Sequence, residues 1–584
     1  MSIASQLMAM MYKLPAAEFG VQTEHDISIK AKDGIELLTD VYFPKDSGPA
    51  GPGPTRSGKE QNKRPENGPN GSGPHDYGHP TLLMRTPYGR FGFGMVAEAY
   101  AERGFITVLQ ACRGTDNSGG EFDPLINERS DGLATLDWIY QQKWFDGRLG
   151  LTGPSYLGYA QWAICDALPK GAALSAKATS SDFKDIVFPG GAFALQLWLS
   201  WLQTIHGLDH ELFGMTLRMA TGDVERRTQK SALTLPLSKA DMDAVGEEIP
   251  FWQQWFGDAI DNPPFWEARD HSSRLNSDTP PNCFVTGWYD LMVDCHLADY
   301  QQLVATGSTP HLTIGPWFHT DSDLQGECLK QTIAFMGAHL LQKKNSLRSM
   351  PVRFYVSGTE EWHECLTFPP AIAKDKTLFL NPDKQLLLAP AKQGYTERYI
   401  YDPSNPTPNV GGAIFAFLGA GAQDNKQLET RSDVLVFTSV PVGKNLTIVG
   451  NIKVKIFVKS SLQNTDFFAR ICDVDKSGVS INICDAIIRL TPDKITHDEM
   501  GVMEIELLLH TTAHTFLGGH CIRLQVSSGA HPRFARNLGT NEPIGSATNM
   551  QTAQQELFFG SNYPSSITLP VMDLEQASGI NPVK

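Results

Sequence analysis

Along the first half of the chain, short wholly apolar runs alternate with stretches of helical spacing. Residues 81–90 read as a strand ending in a turn, a helix pattern covers 95–103, and residues 105–110 form a second apolar strand. Residues 131–142 place Leu133, Leu136, Ile139 and Tyr140 at helical intervals. The next apolar run ends in Gly153-Pro154-Ser155-Tyr156-Leu157-Gly158, and a small-residue, aromatic segment of helical character follows. Strands alternating with helices predict a mainly parallel sheet covered on both faces. Residues 25–45 precede it as a hairpin about Asp33-Gly34, and 174–179 add another strand.

From 183 to 275 the texture becomes Trp-, Phe- and Met-rich, with amphipathic helices predicted over 192–206, 211–220 and 251–260. Such an insertion reads as a helical cap over an apolar pocket; an ordinary helical subdomain would have the same sequence. Sheet patterning returns in 281–290, a strand delivering Asp290, and in 311–319, a strand delivering His319. After a helix over 324–343, short alternating runs dominate (352–356, 433–438, 446–458, 467–474, 481–490, 503–509, 521–526). They predict an all-β sandwich of jelly-roll type.

Composition narrows the class. A chain of 584 residues exceeds one core, and 41% hydrophobic content supports globular packing. Residues 46–80, dense in Gly, Pro, Ser and Asn, read as a flexible surface insertion. A net charge of −15 argues against nucleic acid or an anionic membrane as partner. No run is long enough for a membrane span. Nine cysteines without Cys-x-x-Cys spacing read as reduced core thiols, which points to a cytoplasmic protein. Residues 1–14 lack the basic leader of a signal peptide and are expected to form a short helix or arm. Metal-ligand spacing, phosphate-binding loops and dinucleotide fingerprints are missing, so no cofactor is expected. Oligomeric state is left open, a homo-oligomer included.

The chemistry sits at strand ends. A strand turning sharply into a helix with one serine at the apex pushes that hydroxyl clear of its sheet, which makes Ser155 the candidate nucleophile. The usual elbow is Gly-x-Ser-x-Gly; here Leu157 occupies the second glycine's place and Gly158 comes one residue late. Ser155, Asp290 and His319 follow in the α/β-hydrolase order, each just past a predicted strand. A serine hydroxyl needs an imidazole to take its proton, and a carboxylate fixes that ring's tautomer. Asp294 and His296 lie near Asp290 but fall on the following helix, where solvated or core roles suit them better. The expected architecture is α/β: a hydrolase domain in two parts (1–182 and 276–346), an inserted cap (183–275) and a C-terminal jelly roll (347–584).

These motifs, with Arg-Gly-x-x-x-Ser-x-Gly-Glu-Phe at 113–122 and the 523–537 stretch, resemble the CocE/NonD hydrolases. That family includes cocaine-esterase-like enzymes, α-amino-acid ester hydrolases and Xaa-Pro dipeptidyl-peptidases. The resemblance implies Ser155 as nucleophile, His319 as general acid/base and Asp290 as its orienting acid. It also implies an oxyanion hole made by the Tyr88 hydroxyl and the Tyr156 backbone amide. Trp162, Trp288, Trp317 and Phe318 lie near the triad in sequence and suggest a bulky acyl pocket, with core packing as the competing role.

The leading expectation is therefore a serine acyl hydrolase acting on a small-molecule carboxylic ester, or an amide, through a covalent acyl-enzyme. An Xaa-Pro dipeptidyl-peptidase is the nearest alternative, although fewer than 30 residues precede the first strand and no acidic cluster can be assigned to the pocket. An α-amino-acid ester hydrolase is a second alternative. Outside enzymes, a catalytically silent binding scaffold remains.

Overall fold

The computed structural model describes residues 3–45, 78–259, 262–370, 373–574 and 579–583. The segment read as a flexible insertion, 46–80, lies outside the described residues except for its last three. An eleven-stranded sheet forms the first layer. Ten of its strands are β1 (Gly20–Lys30), β2 (Glu36–Lys45), β3 (Thr81–Thr86), β4 (Ile106–Ala111), β5 (Leu149–Pro154), β6 (Ala173–Lys177), β7 (Cys283–Tyr289), β8 (His311–Phe318), β9 (Val352–Val356) and β10 (Glu361–Cys365). Their spatial order is β1-β2-β4-β3-β5-β6-β7-β8-β9-β10, and the edge beyond β10 is the short strand Asn581–Pro582.

From β4 to β9 every pairing is parallel. Parallel strands need covering helices, and the apolar runs provide two buried faces. Side chains alternate between them: Leu83 and Phe284 join the core that includes Trp162, Val293 and Leu297. Leu82, Met84, Cys283 and Val285 join the opposite core, built on the helices Arg90–Ala101 and Ser322–Leu340. Carboxyl ends of the central strands therefore converge on one rim, where a parallel sheet presents its chemistry.

The cap follows the predicted texture. Its long helix, Leu195–His210, is buried continuously from Leu195 to Ile205. That stretch includes Gln196, Ser200, Gln203 and Thr204 beside its apolar residues, so the helix is enclosed on its polar side as well. Shorter helices at Leu212–Thr221, Asp223–Ser231 and Pro250–Gln254 wrap it.

The remaining strands build a β domain of jelly-roll type in which thirteen strands are connected by pairing. One expected member is missing: Val352–Val356 pairs in parallel with β8 and antiparallel with β10, so it extends the hydrolase sheet. The 446–458 run is also two strands, Leu446–Gly450 and Lys453–Ser460. The 523–537 stretch docks the cap on this domain, with Gln196 N–H donating to Pro532 O at 3.0 Å and Ala535 N–H to Phe193 O at 2.8 Å.

Candidate active site

Ser155 stands where β5 turns into the helix Tyr156–Trp162, at φ 57° and ψ −125°. Such a backbone is costly for an L-residue and persists only where its surroundings dictate it. Its N–H donates to Lys177 O at 2.9 Å, and its carbonyl accepts from the Gly158 and Tyr159 amides. The displaced glycine has a steric reason. A Cβ on Gly153 would lie 2.4 Å from that of Leu157, so Leu157 fills the space left by the first glycine. A Cβ on Gly158 would lie 2.5 Å from Thr179 Cγ2, so the close approach to the next strand end falls there.

The structure brings Ser155, His319 and Asp290 together. His319 Nε2 lies 3.0 Å from Ser155 Oγ, and His319 Nδ1 lies 3.0 Å from Asp290 Oδ1. Asp290 is fully buried and also accepts the Met292 amide at 2.9 Å. Burial opposes its charge, but attraction and hydrogen bonding from His319, with the Met292 amide, hold the carboxyl below the usual range. An ionised acid keeps the ring hydrogen on Nδ1 and leaves the Nε2 lone pair facing Ser155.

The two neighbouring candidates are elsewhere engaged. Asp294 turns to the β domain, bonding His510 Nδ1 at 2.6 Å and the Thr511 amide and hydroxyl at 2.9 and 2.6 Å. His296 is buried against Thr179 O at 2.9 Å, and burial pushes its ring down to about 4, so it is neutral.

Tyr88 follows β3, where Pro87 ends the strand and Gly89, at φ 78°, turns the chain into the helix Arg90–Ala101. Burial raises its phenol, which keeps its proton at neutral pH. Its hydroxyl accepts from Trp201 Nε1 at 3.1 Å, and its ring lines the same cavity as Ser155. The Tyr156 amide opens its helix and so has no acceptor within it. The Arg-Gly motif packs the loop behind these donors. Arg113 grips Asp131 through two bonds of 3.0 and 2.6 Å, and Phe122 is set against Tyr156 and Trp201.

Ser155 and His319 line a small, partly open cavity of about 10 Å³ with Tyr88, Tyr156, Phe183, Trp198, Trp201, Met292 and Phe415. Leu197 and Phe415 separate it from a larger chamber of about 460 Å³ between cap and β domain.

The four aromatics expected around the acyl group do not line this cavity. Trp162 is buried in the core against Phe284, and Trp288 packs on Phe368 with its indole N–H donating to Tyr355 O at 2.6 Å. Trp317 packs on Trp362, and Phe318 lies against Ile414, Ala416 and Ala420. Nearness in sequence misleads at a strand end, because successive side chains leave by opposite faces. The actual walls come largely from the cap helix and from Phe415. Their one sequence signal was the Trp-, Phe- and Met-rich texture of the cap, with its helix pattern over 192–206. Among the described residues, no cluster of three or more His, Cys, Asp or Glu could hold a metal.

The model of the X-Pro dipeptidyl-peptidase (S15) family matches residues 69–321, and that of the X-Pro dipeptidyl-peptidase C-terminal non-catalytic domain matches 345–568. A cocaine esterase of Rhodococcus sp. (strain MB1 Bresler) is 27% identical over 94% of this chain and 98% of its own. The chain is thus similar to S15-type hydrolases over 69–321, to their C-terminal domain over 345–568, and to a cocaine esterase along nearly its whole length. Three solved structures share its fold along nearly the whole chain. An α-amino acid ester hydrolase superposes with a TM-score of 0.73 at 21% identity, covering 96% of this chain and 98% of the other. A CocE/NonD family hydrolase from Staphylococcus aureus gives 0.63 at 16% identity, covering 95% and 97%. An aminopeptidase from a marine sediment archaeon (Thaumarchaeota archaeon) gives 0.72 at 22% identity, covering 95% and 97%. The shared fold thus extends through the α/β domain, cap and β domain.

Proposed function

We propose that this protein hydrolyses small-molecule carboxylic esters with apolar acyl groups through an acyl-enzyme on Ser155. The supporting observation is His319 hydrogen-bonded on one side to Ser155 and on the other to a buried, ionised Asp290. His319 Nε2 takes the serine proton as Oγ attacks the carbonyl, and Asp290 steadies the resulting imidazolium. The Tyr88 hydroxyl and the Tyr156 amide receive the charge that forms on the carbonyl oxygen. His319 then returns the proton to the departing alkoxide, and water repeats the sequence to release the acid.

The space immediately beside Ser155 favours this reading over its amine-recognising alternatives. A dipeptidyl-peptidase or an amino-ester hydrolase has to neutralise a substrate ammonium, and no carboxylate lines that small cavity; Asp185, Asp294 and Glu506 lie in the larger chamber beyond Leu197 and Phe415. All nine cysteines are unpaired, which supports a reducing cytoplasmic setting. Labelling by a fluorophosphonate is expected for the native enzyme, lost in Ser155→Ala and retained in Ser528→Ala, whose serine is buried against Tyr399 in the β domain. Chromogenic benzoyl and acyl esters should be cleaved faster than aminoacyl esters or amides. Faster turnover of the aminoacyl series would reverse the assignment.

A further inference from the structure

The cap contributes one hydrogen bond to the proposed oxyanion hole: the Trp201 indole N–H donates to the Tyr88 hydroxyl oxygen at 3.1 Å. Trp201 belongs to the helix Leu195–His210 and is held by a cage of rings. Tyr156 stacks on it at 6.1 Å and 22°, and Trp198, Phe122 and Phe251 surround it. It therefore touches both residues assigned to the hole, one by a hydrogen bond and one by stacking.

A phenol hydroxyl has one hydrogen to give and lone pairs to receive, whereas an indole nitrogen can only donate. With Trp201 supplying a hydrogen from the cap side, the Tyr88 hydrogen cannot point at Trp201. On its other side Tyr88 shares a cavity wall with Ser155, beside whose Oγ the tetrahedral oxygen forms. Accepting one bond also polarises a hydroxyl and makes it a stronger donor. We propose that Trp201 is a positioning residue that aims the Tyr88 hydroxyl at the developing oxyanion. Ester hydrolysis by this chain then depends on its cap as well as on its sheet. The inference rests on the acyl-enzyme reading above.

The test is a double-mutant cycle on ester hydrolysis. Trp201→Phe keeps a ring in the cage while removing the donor and the second fused ring, and 3-benzothienylalanine at position 201, which removes the N–H alone, serves as its control. We expect the kcat of Trp201→Phe to fall roughly tenfold with KM within twofold, less than the ~10²–10³ cost of losing an oxyanion donor outright, as in Tyr88→Phe. The double variant should be no slower than Tyr88→Phe, because the indole acts through the hydroxyl that is already gone. Should Trp201→Phe fail to fold, 3-benzothienylalanine at position 201 removes the N–H from an isosteric ring. An unchanged kcat, a loss confined to KM, or fully additive losses would overturn the positioning role while leaving the acyl-enzyme intact. A native enzyme that neither labels nor hydrolyses would remove both.

Discussion

Tyr156 donates its phenolic hydrogen to Glu128 Oε1 at 2.5 Å. The other carboxylate oxygen lies 3.1 Å from Arg85 Nη2, and both charged side chains are almost fully buried. Arg85 is on β3, three residues before Tyr88, so one buried ion pair ties the strand that presents Tyr88 to the residue whose amide faces Ser155. Removing one member of a buried pair strands the other charge, at a cost of about 3–5 kcal/mol. Glu128→Gln, which keeps an acceptor for Tyr156 but not the charge, should lower denaturant stability by that order. A loss under 1 kcal/mol would show the pair to be dispensable.

Asp290→Asn should leave the fold intact and cut kcat by about 10³–10⁴. An asparagine amide would donate to His319 Nδ1 and shift the ring hydrogen to Nε2, where it blocks proton transfer from Ser155. Steady-state kinetics on a chromogenic ester checks this, and near-native turnover would rule out the orienting role.

Gly158→Ala should destabilise the elbow by about 1–3 kcal/mol, the usual cost of overpacking. Its methyl would meet the buried Thr179 side chain at 2.5 Å. Calorimetry should record a lower Tm together with weaker fluorophosphonate labelling; an unshifted Tm contradicts the steric account of the late glycine.

Stability should fall on acidification below about pH 6.5. Burial is the main cause that pushes His271, His296 and His531 down to about 4 from the ordinary 6.5. The unfolded chain therefore takes up protons that the fold refuses, so stability is full above 6.5 and is lost as pH drops through about 4. Asp299 opposes this: burial raises it from 3.8 to about 7, so its contribution is present at low pH and lost as pH rises through about 7. With His311, which burial also pushes down to about 4, four histidines outweigh Asp299. Melting curves between pH 7.5 and 4 should show a falling Tm, steeper in Asp299→Asn; a Tm that rises towards pH 4.5 would refute it.

The parts of this arrangement visible in the sequence are those written in local pattern. Apolar runs at 105–110 and 281–290 could only be strands covered on both faces, and the strained turn at Ser155 is marked by its glycines. Sheet membership is not a local property, so nothing in the alternation of 352–356 told which layer would accept it. The same limit hid the cavity walls. Trp201 and Phe415 reach the site through helix docking and interdomain packing, whereas Trp162 and Trp317, adjacent in sequence to elbow and histidine, are carried off to opposite faces of the sheet.

A space of about 10 Å³ beside Ser155 holds roughly a single water molecule. An ester larger than that has to displace part of this wall, where Leu197 and Phe415 also border the larger chamber. Admission becomes a step with its own barrier, borne by contacts between cap and β domain. Substrate choice can then drift through changes in that wall while the reacting groups stay as they are.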